Sequence, residues 1–511
     1  MHEHTTELVT NLLLPSWLDA PRNSSGSKSS TRRRGTRSDR GASTVVQPLT
    51  SIDIIDGDDY YELEDIQNRL RSSIREPHVE QLVLSELNLE PSVIPVLVDL
   101  LSSREGDEDT LWEAVFLEFC RGDVEAALRE VLALNNVRKL EIATGLSHRT
   151  ALRALASTAG SNQTLQELSL LTHIDQEVIE WLSQGFRSIT GISKLCFVKC
   201  TFMEGSVEPL ASFLRQTQSI EVLSFDRCII QGTGENLGTL LDSLAGHMSL
   251  RELFIGGPLC DHSQLAISKL LTDNRLMSKL SLQNKTDLAT SNANACQSNS
   301  IAWMEAPLSS NSTLKVLDLS QRCLDDESMQ MLATALCSET SRLEEIRLHE
   351  NHIGNVGVQH FASHIPRMTS SLRRIFLHRN RFDEQGAEAL LEAVRQSCAI
   401  RELTIPSMGR STLMTNYQRL ISYETMLNSG GKHLLKGTVQ NNRGTKLAAG
   451  LWPFIFERAG QQMTTPYSER QLSGSDAWRR TQQADLIFYL MKGAAESIFS
   501  QKEHNPLSQN P

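Results

Sequence analysis

Apolar and polar residues alternate in a block between residues 343 and 382, and this block contains two copies of one pattern. The first copy reads LEEIRLHENHIG, and the second reads LRRIFLHRNRFD and starts 29 residues later. Five positions correspond in the two copies: Leu343, Ile346, Leu348, Asn351 and Ile353 in the first, and Leu372, Ile375, Leu377, Asn380 and Phe382 in the second. Alternation over so short a run predicts a strand with one buried face. Recurrence at a period of this length predicts a repeat architecture.

The same pattern extends over most of the chain. The first apolar position of each unit recurs twelve times, mostly at intervals of 27 to 30 residues: Val79, Trp112, Val137, Leu165, Ile192, Ile220, Leu250, Met277, Leu314, Leu343, Leu372 and Ile400. We therefore predict a solenoid of about twelve repeats over residues 79–410.

The second half of each unit has the spacing of a helix. Apolar residues occur at i, i+3, i+4 and i+7, which places them on one helix face; one such set is Met329, Leu332, Ala333 and Leu336. Each unit is thus predicted to be a strand, a turn, a helix and a return loop. Because neither element buries its apolar face alone, neighbouring units must stack to form one core.

The turn after the strand carries a characteristic residue. Asn351 and Asn380 occupy it in two late units, and an asparagine amide can satisfy backbone groups where the chain leaves a sheet. The equivalent residues of earlier units are Cys120, Cys200 and Cys228. We interpret these cysteines as small buried residues with weak donors, with a redox or metal-binding role as the alternative.

The L-x-x-L-x-L-x-x-N-x-L pattern at 343–353 and 372–382 resembles that of leucine-rich repeat proteins, in the long-repeat subclass typified by ribonuclease inhibitor. The resemblance implies an α/β fold: a curved horseshoe with an inner parallel sheet and outer helices. It also implies a non-enzymatic scaffold or adaptor that binds a protein partner through the concave face. The alternative is a regulator of a small GTPase, because ribonuclease-inhibitor-like repeats also occur in GTPase-activating proteins of the Ran type. Those proteins carry a long acidic run after the repeats, and this chain ends differently.

Composition divides the rest of the chain. Residues 1–50 are rich in Ser, Arg, Gly and Thr, which predicts a disordered basic tail. Residues 51–78 form an acidic lead-in or cap segment, and residues 501–511 a second disordered tail. Residues 411–500 are predicted to be a helical C-terminal cap or extension, with a partner-docking module as the alternative.

Three further segments have no single interpretation. Two of them allow two interpretations each, and the third shows only a resemblance. The run Arg32–Arg34 is either a nuclear-import signal or part of a solvated tail. The polar loop 284–300 either contacts a partner or is tolerated slack. The Gly-Leu-Trp-Pro segment at 450–453 resembles an extension found on some ribonuclease-inhibitor-like proteins of unicellular eukaryotes, to which no activity is attached.

The net charge and the cysteine content limit the ligands that the protein could bind and the compartment in which it could occur. A net charge of -11 argues against general binding to nucleic acid or anionic membranes. Nine cysteines without short paired spacings are typical of reduced thiols. The start of the chain lacks a basic region, and the apolar piece around Leu12–Leu14 is too short to span a membrane. We therefore predict a cytoplasmic or nuclear monomer without a membrane span.

Residues between the fixed apolar positions of each strand are expected on the concave face. At the C-terminal end they form three columns: Val316, Glu345, Arg374 and Glu402; Asp318, Arg347, Phe376 and Thr404; Ser320, His349, His378 and Pro406. One interpretation is that the charged residues form surface ion pairs worth about 0–1 kcal/mol each. The other is a partner-binding site, because arginine and aromatic residues dominate interface energetics. The residues of this candidate site are Arg347, His349, Arg374, Phe376, His378 and Arg379.

No catalytic, cofactor or metal signature is found. The sequence has no phosphate-binding glycine loop followed by Lys-Ser/Thr and no G-x-S-x-G elbow. His349 and His378 face each other without a third ligand, and Cys196 and Cys200 lie four residues apart without a nearby histidine. We therefore predict no catalytic residue, no cofactor and no metal site.

Overall fold

The structure is a computed structural model. It describes residues 51–55 and 81–430, apart from 86, 103–111, 145–150, 158–161, 190, 204, 232–234, 285–300, 369–370 and 407–411. For residues 51–55 it describes the strand but not the side chains. The predictions for residues 1–50, for 56–78, for nearly all of the 284–300 loop and for 431–511 concern residues outside these ranges.

A thirteen-stranded sheet runs through the described part of the chain, and its strands follow one another in sequence order. Its strands are Ser51–Ile55, Gln81–Ser85, Trp112–Glu118, Val137–Ala143, Glu167–Leu171, Lys194–Val198, Val222–Asp226, Glu252–Ile255, Lys279–Ser281, Val316–Asp318, Glu345–Arg347, Arg374–Phe376 and Glu402–Thr404. From Ser51–Ile55 to Arg374–Phe376, each neighbouring pair is parallel. Parallel neighbours require a crossover between them.

Helices supply most of these crossovers. Those in the described ranges are Ile94–Ser102, Val124–Ala133, Arg153–Ser157, Gln176–Ser188, Val207–Gln216, Asn236–Asp242, Asp261–Asp273, Glu305–Ser310, Asp326–Leu336, Asn355–His364, Glu384–Gln396 and Thr412–Gly430. Short 3-10 turns occur at Ala302–Met304 and Ile365–Arg367. The predicted helical face is confirmed in the helix Asp326–Leu336, where Met329, Leu332, Ala333 and Leu336 are all buried.

Two minor parallel sheets follow the main strands on one edge. One joins Asn88–Leu89 to Arg121–Gly122, and the other joins Ile229–Ile230, Thr201–Phe202 and His173–Ile174. The core lies between the main sheet and the helices, where the central strand residues Leu317, Ile346 and Ile375 are fully buried. The chain therefore has the predicted α/β leucine-rich repeat solenoid fold. Among the described residues, no helix combines the length and the apolar character needed to cross a membrane.

One strand was absent from the sequence-based prediction. Ser51–Ile55 pairs in parallel with Gln81–Ser85, so the sheet begins one strand before the predicted first unit at Val79. The signal was present in the sequence, because Leu49, Ile52 and Ile54 have the L-x-x-L-x-L spacing. The acidic residues that follow predict a solvated cap, whereas the apolar spacing predicts a strand.

Contacts divide the chain into two units. The larger comprises Val46–Ala399 and Leu403–Gln418. At its C-terminal side, the Gln418 side chain accepts a hydrogen bond from Ile405 N at 2.9 Å and donates to Leu403 O at 3.2 Å. The other unit includes Ile400–Glu402 and, among the described residues, 419–430, and there Asn428 Nδ2 donates to Ile400 O at 2.9 Å.

The turn residues predicted from sequence hold successive turns together. Asn351 is 3% exposed; its Nδ2 donates to Leu319 O and Leu348 O, both at 3.0 Å. Its Oδ1 accepts from Arg322 N at 2.9 Å and Leu324 N at 3.0 Å. One amide thus satisfies four backbone groups, and three of them belong to the preceding turn.

The cysteines at the same position make a weaker version of this bond. Cys120 Sγ donates to Leu84 O at 3.4 Å, and Cys200 Sγ donates to Leu170 O at 3.1 Å. Cys228 Sγ donates to Phe197 O at 3.3 Å. All eight described cysteines are free thiols. These contacts support a structural role for the three turn cysteines.

The unit that begins at Leu314 has an arginine at this position. Arg322 is 3% exposed, and its Nε donates to Leu282 O. Burial lowers the pKa of the Arg322 guanidinium to about 10, so it remains charged at neutral pH. The offset of eight residues from Leu314 identifies this position in the sequence, but an arginine there does not suggest burial.

The backbone before the turn residue is left-handed in six units. The residues are Phe119, Lys199, Arg227, Gln321, Glu350 and Arg379, with φ between 50° and 59°. Non-glycine residues seldom adopt this conformation. It turns the chain away from the sheet while the next side chain, asparagine, cysteine or arginine, points back to the preceding turn.

Replacing Asn351 by alanine should lower the free energy of unfolding by about 3 kcal/mol, because buried backbone groups lose their partners. Chemical denaturation of the full chain measures this change. The control is Gln359→Ala in the same unit, at an exposed helix position, which should change stability by less than about 0.5 kcal/mol. Equal effects of the two substitutions would contradict the role assigned to Asn351.

The turn cysteines should resist alkylation in the folded protein. Burial raises the pKa of Cys120 to about 12 and that of Cys228 well above its usual value, so neither forms the reactive thiolate at pH 8. A short iodoacetamide pulse read by peptide mass spectrometry should label the partly exposed Cys398 first. Labelling of the buried Cys120 should require urea, and labelling of Cys120 as fast as Cys398 would refute the structural interpretation.

Candidate functional site

Three adjacent strands carry the candidate residues on the face opposite the helices, which we call the open face. The register places Val316, Glu345 and Arg374 side by side, as the sequence columns predicted. The next column on the same face is Asp318, Arg347 and Phe376. We call the six predicted residues, Arg347, His349, Arg374, Phe376, His378 and Arg379, the arginine–histidine stripe.

Glu345 holds both arginines of the strands. Its Oε1 lies 2.5 Å from Arg347 Nε, and its Oε2 lies 2.6 Å from Arg374 Nε. The first contact is a hydrogen bond. The Arg374 N–H makes no hydrogen bond despite the short distance, so the second contact is electrostatic only. One carboxylate therefore orients two guanidinium groups.

Asp318 lies beneath Arg347. Its side chain is 2% exposed, and Oδ1 accepts from Ser320 N at 3.0 Å and Ser320 Oγ at 2.6 Å. Its Oδ2 accepts from Gln283 Nε2 at 2.6 Å and lies 3.7 Å from Arg347 Nη1. These donors compensate the loss of hydration that burial of a carboxylate entails.

The predicted ion pairs Glu345–Arg374 and Asp318–Arg347 are present, but their carboxylates are buried rather than at the surface. The Glu345 side chain is 4% exposed, whereas the side chains of Arg347 and Arg374 are each 36% exposed. The long arginine side chains cover the short acidic ones, because the strands bring them to adjacent positions. The ion pairs of Glu345 are therefore shielded from solvent, unlike the weak pairs between fully exposed side chains.

Two histidines stack beside the arginines. The rings of His349 and His378 have centroids 4.5 Å apart and planes inclined by 9°. Burial lowers the pKa of His349. Burial, followed by the neighbouring His349 and Arg379, lowers the pKa of His378 to about 4. Both rings are therefore neutral at pH 7.

The hydrogen bonds of His349 define its tautomer. The Ser320 hydroxyl donates to Asp318, so its oxygen accepts from His349 Nδ1, 2.9 Å away. The proton is thus assigned to Nδ1, which leaves Nε2 as an acceptor. His378 Nδ1 lies 3.2 Å from Thr404 Oγ1.

Asp318, Ser320 and His349 contain the residue types of a hydrolytic triad but not its arrangement. In such a triad the carboxylate binds histidine, and histidine accepts the serine proton. Here the serine donates to the carboxylate, and Ser320 is completely buried. The hydroxyl is therefore neither activated nor accessible to a substrate.

Arg379 and Glu350 form a separate pair at the edge of the stripe. Both residues have left-handed backbones, with φ of 56°, and occupy equivalent positions in successive units. Arg379 Nη1 lies 2.6 Å from Glu350 Oε1. Partial burial raises the pKa of Glu350, but hydrogen bonds from Gln321 and Arg379 outweigh it, so the pKa is lowered overall.

The stripe is therefore two contacting groups rather than six independent residues. Arg347 and Arg374 share Glu345, and the Arg347 guanidinium lies 5.9 Å from the centre of the Phe376 ring. His349 and His378 form the second group, next to the Arg379–Glu350 pair. The sequence columns contained the supporting residues Asp318, Glu345 and Ser320, but alternation alone does not show that they are buried.

A second charged cluster lies on earlier strands. Lys139 lies 3.6 Å from Glu141 and 3.5 Å from Glu167, and Lys194 lies 2.9 Å from Glu167. Lys139 also lies 5.2 Å from the centre of the Phe116 ring. Burial raises the pKa of Glu141, and Lys139 partly opposes this effect. Two lysines here face two carboxylates, and both lysines are engaged.

Within the described ranges, no group of three or more His, Cys, Asp or Glu side chains is arranged to hold a metal ion. The histidine pair on its own supplies too few ligands for the usual tetrahedral zinc site.

No protein-family model matches the chain, and no curated protein matches its sequence. Several solved structures are similar to it at low identity. A leucine-rich repeat-containing protein of Legionella pneumophila is 14% identical and covers 70% of this chain and 93% of its own, with a TM-score of 0.36. An internalin of Listeria monocytogenes is 13% identical, with coverages of 68% and 89% and a TM-score of 0.32.

A complex of TLR13 with single-stranded RNA is also 13% identical, with coverages of 67% and 48% and a TM-score of 0.35. At these identities and scores the likenesses carry no argument about activity or partner. The fold assignment depends on the repeat register and strand order of the chain itself.

Proposed function

We propose that this protein is a non-enzymatic scaffold that binds a protein partner through the concave, open face of its solenoid, at the arginine–histidine stripe. The observation that carries the proposal is the buried Glu345 carboxylate, which holds two half-exposed arginines in place beside Phe376. Side chains that are ordered before binding lose less conformational entropy when a partner docks. Arginine and aromatic residues also carry a large share of interface energy.

The ribonuclease-inhibitor-like subclass is part of this proposal. Opposed residues in the last units lie 29 residues apart, and the helices Asp326–Leu336, Asn355–His364 and Glu384–Gln396 span 10 to 13 residues. Long repeats with a full helix are what the sequence resemblance implies. No feature of the described residues favours the alternative of a small-GTPase regulator. The cytoplasmic or nuclear location, the monomeric state and the absence of nucleic-acid binding stay predictions.

The charge of the stripe at neutral pH comes from its arginines. Both stacked histidines are neutral, so they contribute hydrogen-bonding and apolar surface. A histidine with a lowered folded pKa binds its proton more readily when the chain is unfolded. Its contribution to stability is therefore complete above about pH 6.5 and is lost as the pH falls toward 4.

The double variant Arg347→Ala, Phe376→Ala should lose a partner that the parent protein captures. Proximity labelling in cells, followed by co-purification, should show enrichment of that partner lowered at least tenfold, or about 1.4 kcal/mol. The matched control is Lys279→Ala, Phe254→Ala, which removes another cation–aromatic contact of the same face, with 4.6 Å between charge and ring centre.

Both double variants should keep the circular dichroism spectrum of the parent. The stripe variant should melt at a lower temperature, because it removes one guanidinium from the buried Glu345 carboxylate. Identical captured proteins from the stripe variant and the parent would overturn the proposal, as would equal losses in the stripe and control variants.

The stability advantage of the parent over His378→Asn should shrink as the pH falls from 7 to 4.5. The change in that difference should be on the order of 1–2 kcal/mol, because only the parent loses the contribution of a neutral His378. Urea denaturation at pH 7.0, 5.5 and 4.5 measures it. A difference that does not vary with pH would contradict the neutral, stacked state of the pair.

A further inference from the structure

Arg347 and Arg374 differ from the other cations of the open face in which of their donor atoms face a carboxylate. Arg347 and Arg374 each face Glu345 with Nε. Arg347 Nη1 lies 3.7 Å from Asp318 Oδ2, which is too long for a hydrogen bond. In the described part of the chain, the Nη groups of Arg347 and Arg374 make no hydrogen bond.

The lysine cluster provides an internal comparison. There, Glu167 occupies the same column position as Glu345 and lies between Lys139 and Lys194 of the two neighbouring strands. Of the two arginines at Glu345, Arg374 is on a neighbouring strand and Arg347 is on the same strand. A lysine ammonium is a compact charge with all its donors on one nitrogen, and the carboxylates already occupy it. An arginine presents its donors as a planar fork, so it can hold one carboxylate with Nε and retain donors for another.

The neighbouring groups limit what can occupy the remaining donors. His349 and His378 are neutral at pH 7 and add no positive charge, and Arg379 is already paired with Glu350. Asp318 and Glu345 balance the two arginines in number but lie buried beneath them, at 2% and 4% exposure. The accessible surface at this point therefore consists of hydrogen-bond donors with the Phe376 ring beside them.

We propose that Arg347 and Arg374 together bind one carboxylate of an acidic side chain, aspartate or glutamate, of the partner protein. The inference rests on the proposed function and specifies the chemistry of its partner. A carboxylate accepts up to four hydrogen bonds and matches two guanidinium forks, and such charge-assisted bonds are about twice as strong as neutral ones. Glu345 beneath the pair fixes the spacing of the two forks before the ligand arrives.

Fluorescence anisotropy of the full chain with labelled peptides tests this directly. The probes are a hexaglutamate peptide and a hexaglutamine peptide of equal length, titrated at low and at physiological salt. We expect hexaglutamate to bind measurably and hexaglutamine not to bind. Arg374→Gln should weaken hexaglutamate binding at least tenfold, and Arg374→Lys, which retains the charge without the fork, by several-fold.

Arg373→Gln is the matched control. It removes the same charge from the adjacent residue, which is exposed and precedes the strand. It should change hexaglutamate binding by less than about twofold, with only the weak effect of a remote screened charge. Each variant is accepted only if its circular dichroism and melting temperature match those of the parent.

Three outcomes would overturn the inference. They are no binding of hexaglutamate to the parent, equal weakening by Arg373→Gln and Arg374→Gln, or equal binding of the two peptides. Binding of inorganic phosphate to a protein that does not bind hexaglutamate is one form of the first outcome and would identify a phosphate site instead. If hexaglutamate does not bind but the Arg347→Ala, Phe376→Ala variant still loses its captured partner, the proposed carboxylate binding is wrong and the scaffold proposal stands.

Discussion

Where six strands of the described part of this solenoid end, one side chain reaches back and hydrogen-bonds the backbone of the turn before it. Asn351 does so with three bonds, whereas Cys120, Cys200 and Cys228 each do so through a thiol. The strands are short, three residues each near the C-terminal end, so the sheet alone satisfies few backbone groups per unit. Stacking of the apolar faces supplies the bulk of the stabilisation, but these bonds fix the register of successive turns.

That register is what creates the candidate site. Because residue 345 lies opposite residue 374, the Glu345 carboxylate meets the Arg374 guanidinium across the two strands. The same alignment sets Asp318 beside Arg347 and stacks His349 on His378. Arg347, Arg374 and Phe376 lie in strands, so the sheet fixes their relative positions, whereas His349, His378 and Arg379 follow the strand ends.

The repeat, the strand and helix order and the cross-strand columns could be predicted from the sequence, because each is a periodic property. The buried state of Asp318, Glu345 and Arg322 could not. Alternation assigns Asp318 and Glu345 to the open face, and only the three-dimensional crowding by arginine side chains removes them from water. Arg322 stands at a turn position where the pattern leads one to expect asparagine or cysteine, and charge normally argues against burial. The strand Ser51–Ile55 had the correct spacing, but the surrounding acidic composition obscured it.

The left-handed residues at the turns have a further consequence. Six units place a side chain where glycine would adopt φ above 50° without strain, and in the unit beginning at Leu250 the equivalent residue is Gly257, with φ of 142°. Each non-glycine residue there costs of order 1 kcal/mol. The chain thus carries six such side chains along one edge of its sheet. Where they belong to successive units, as Gln321, Glu350 and Arg379 do, the backbone sets their spacing at about the 4.8 Å between strands, whatever the chemical character of each side chain.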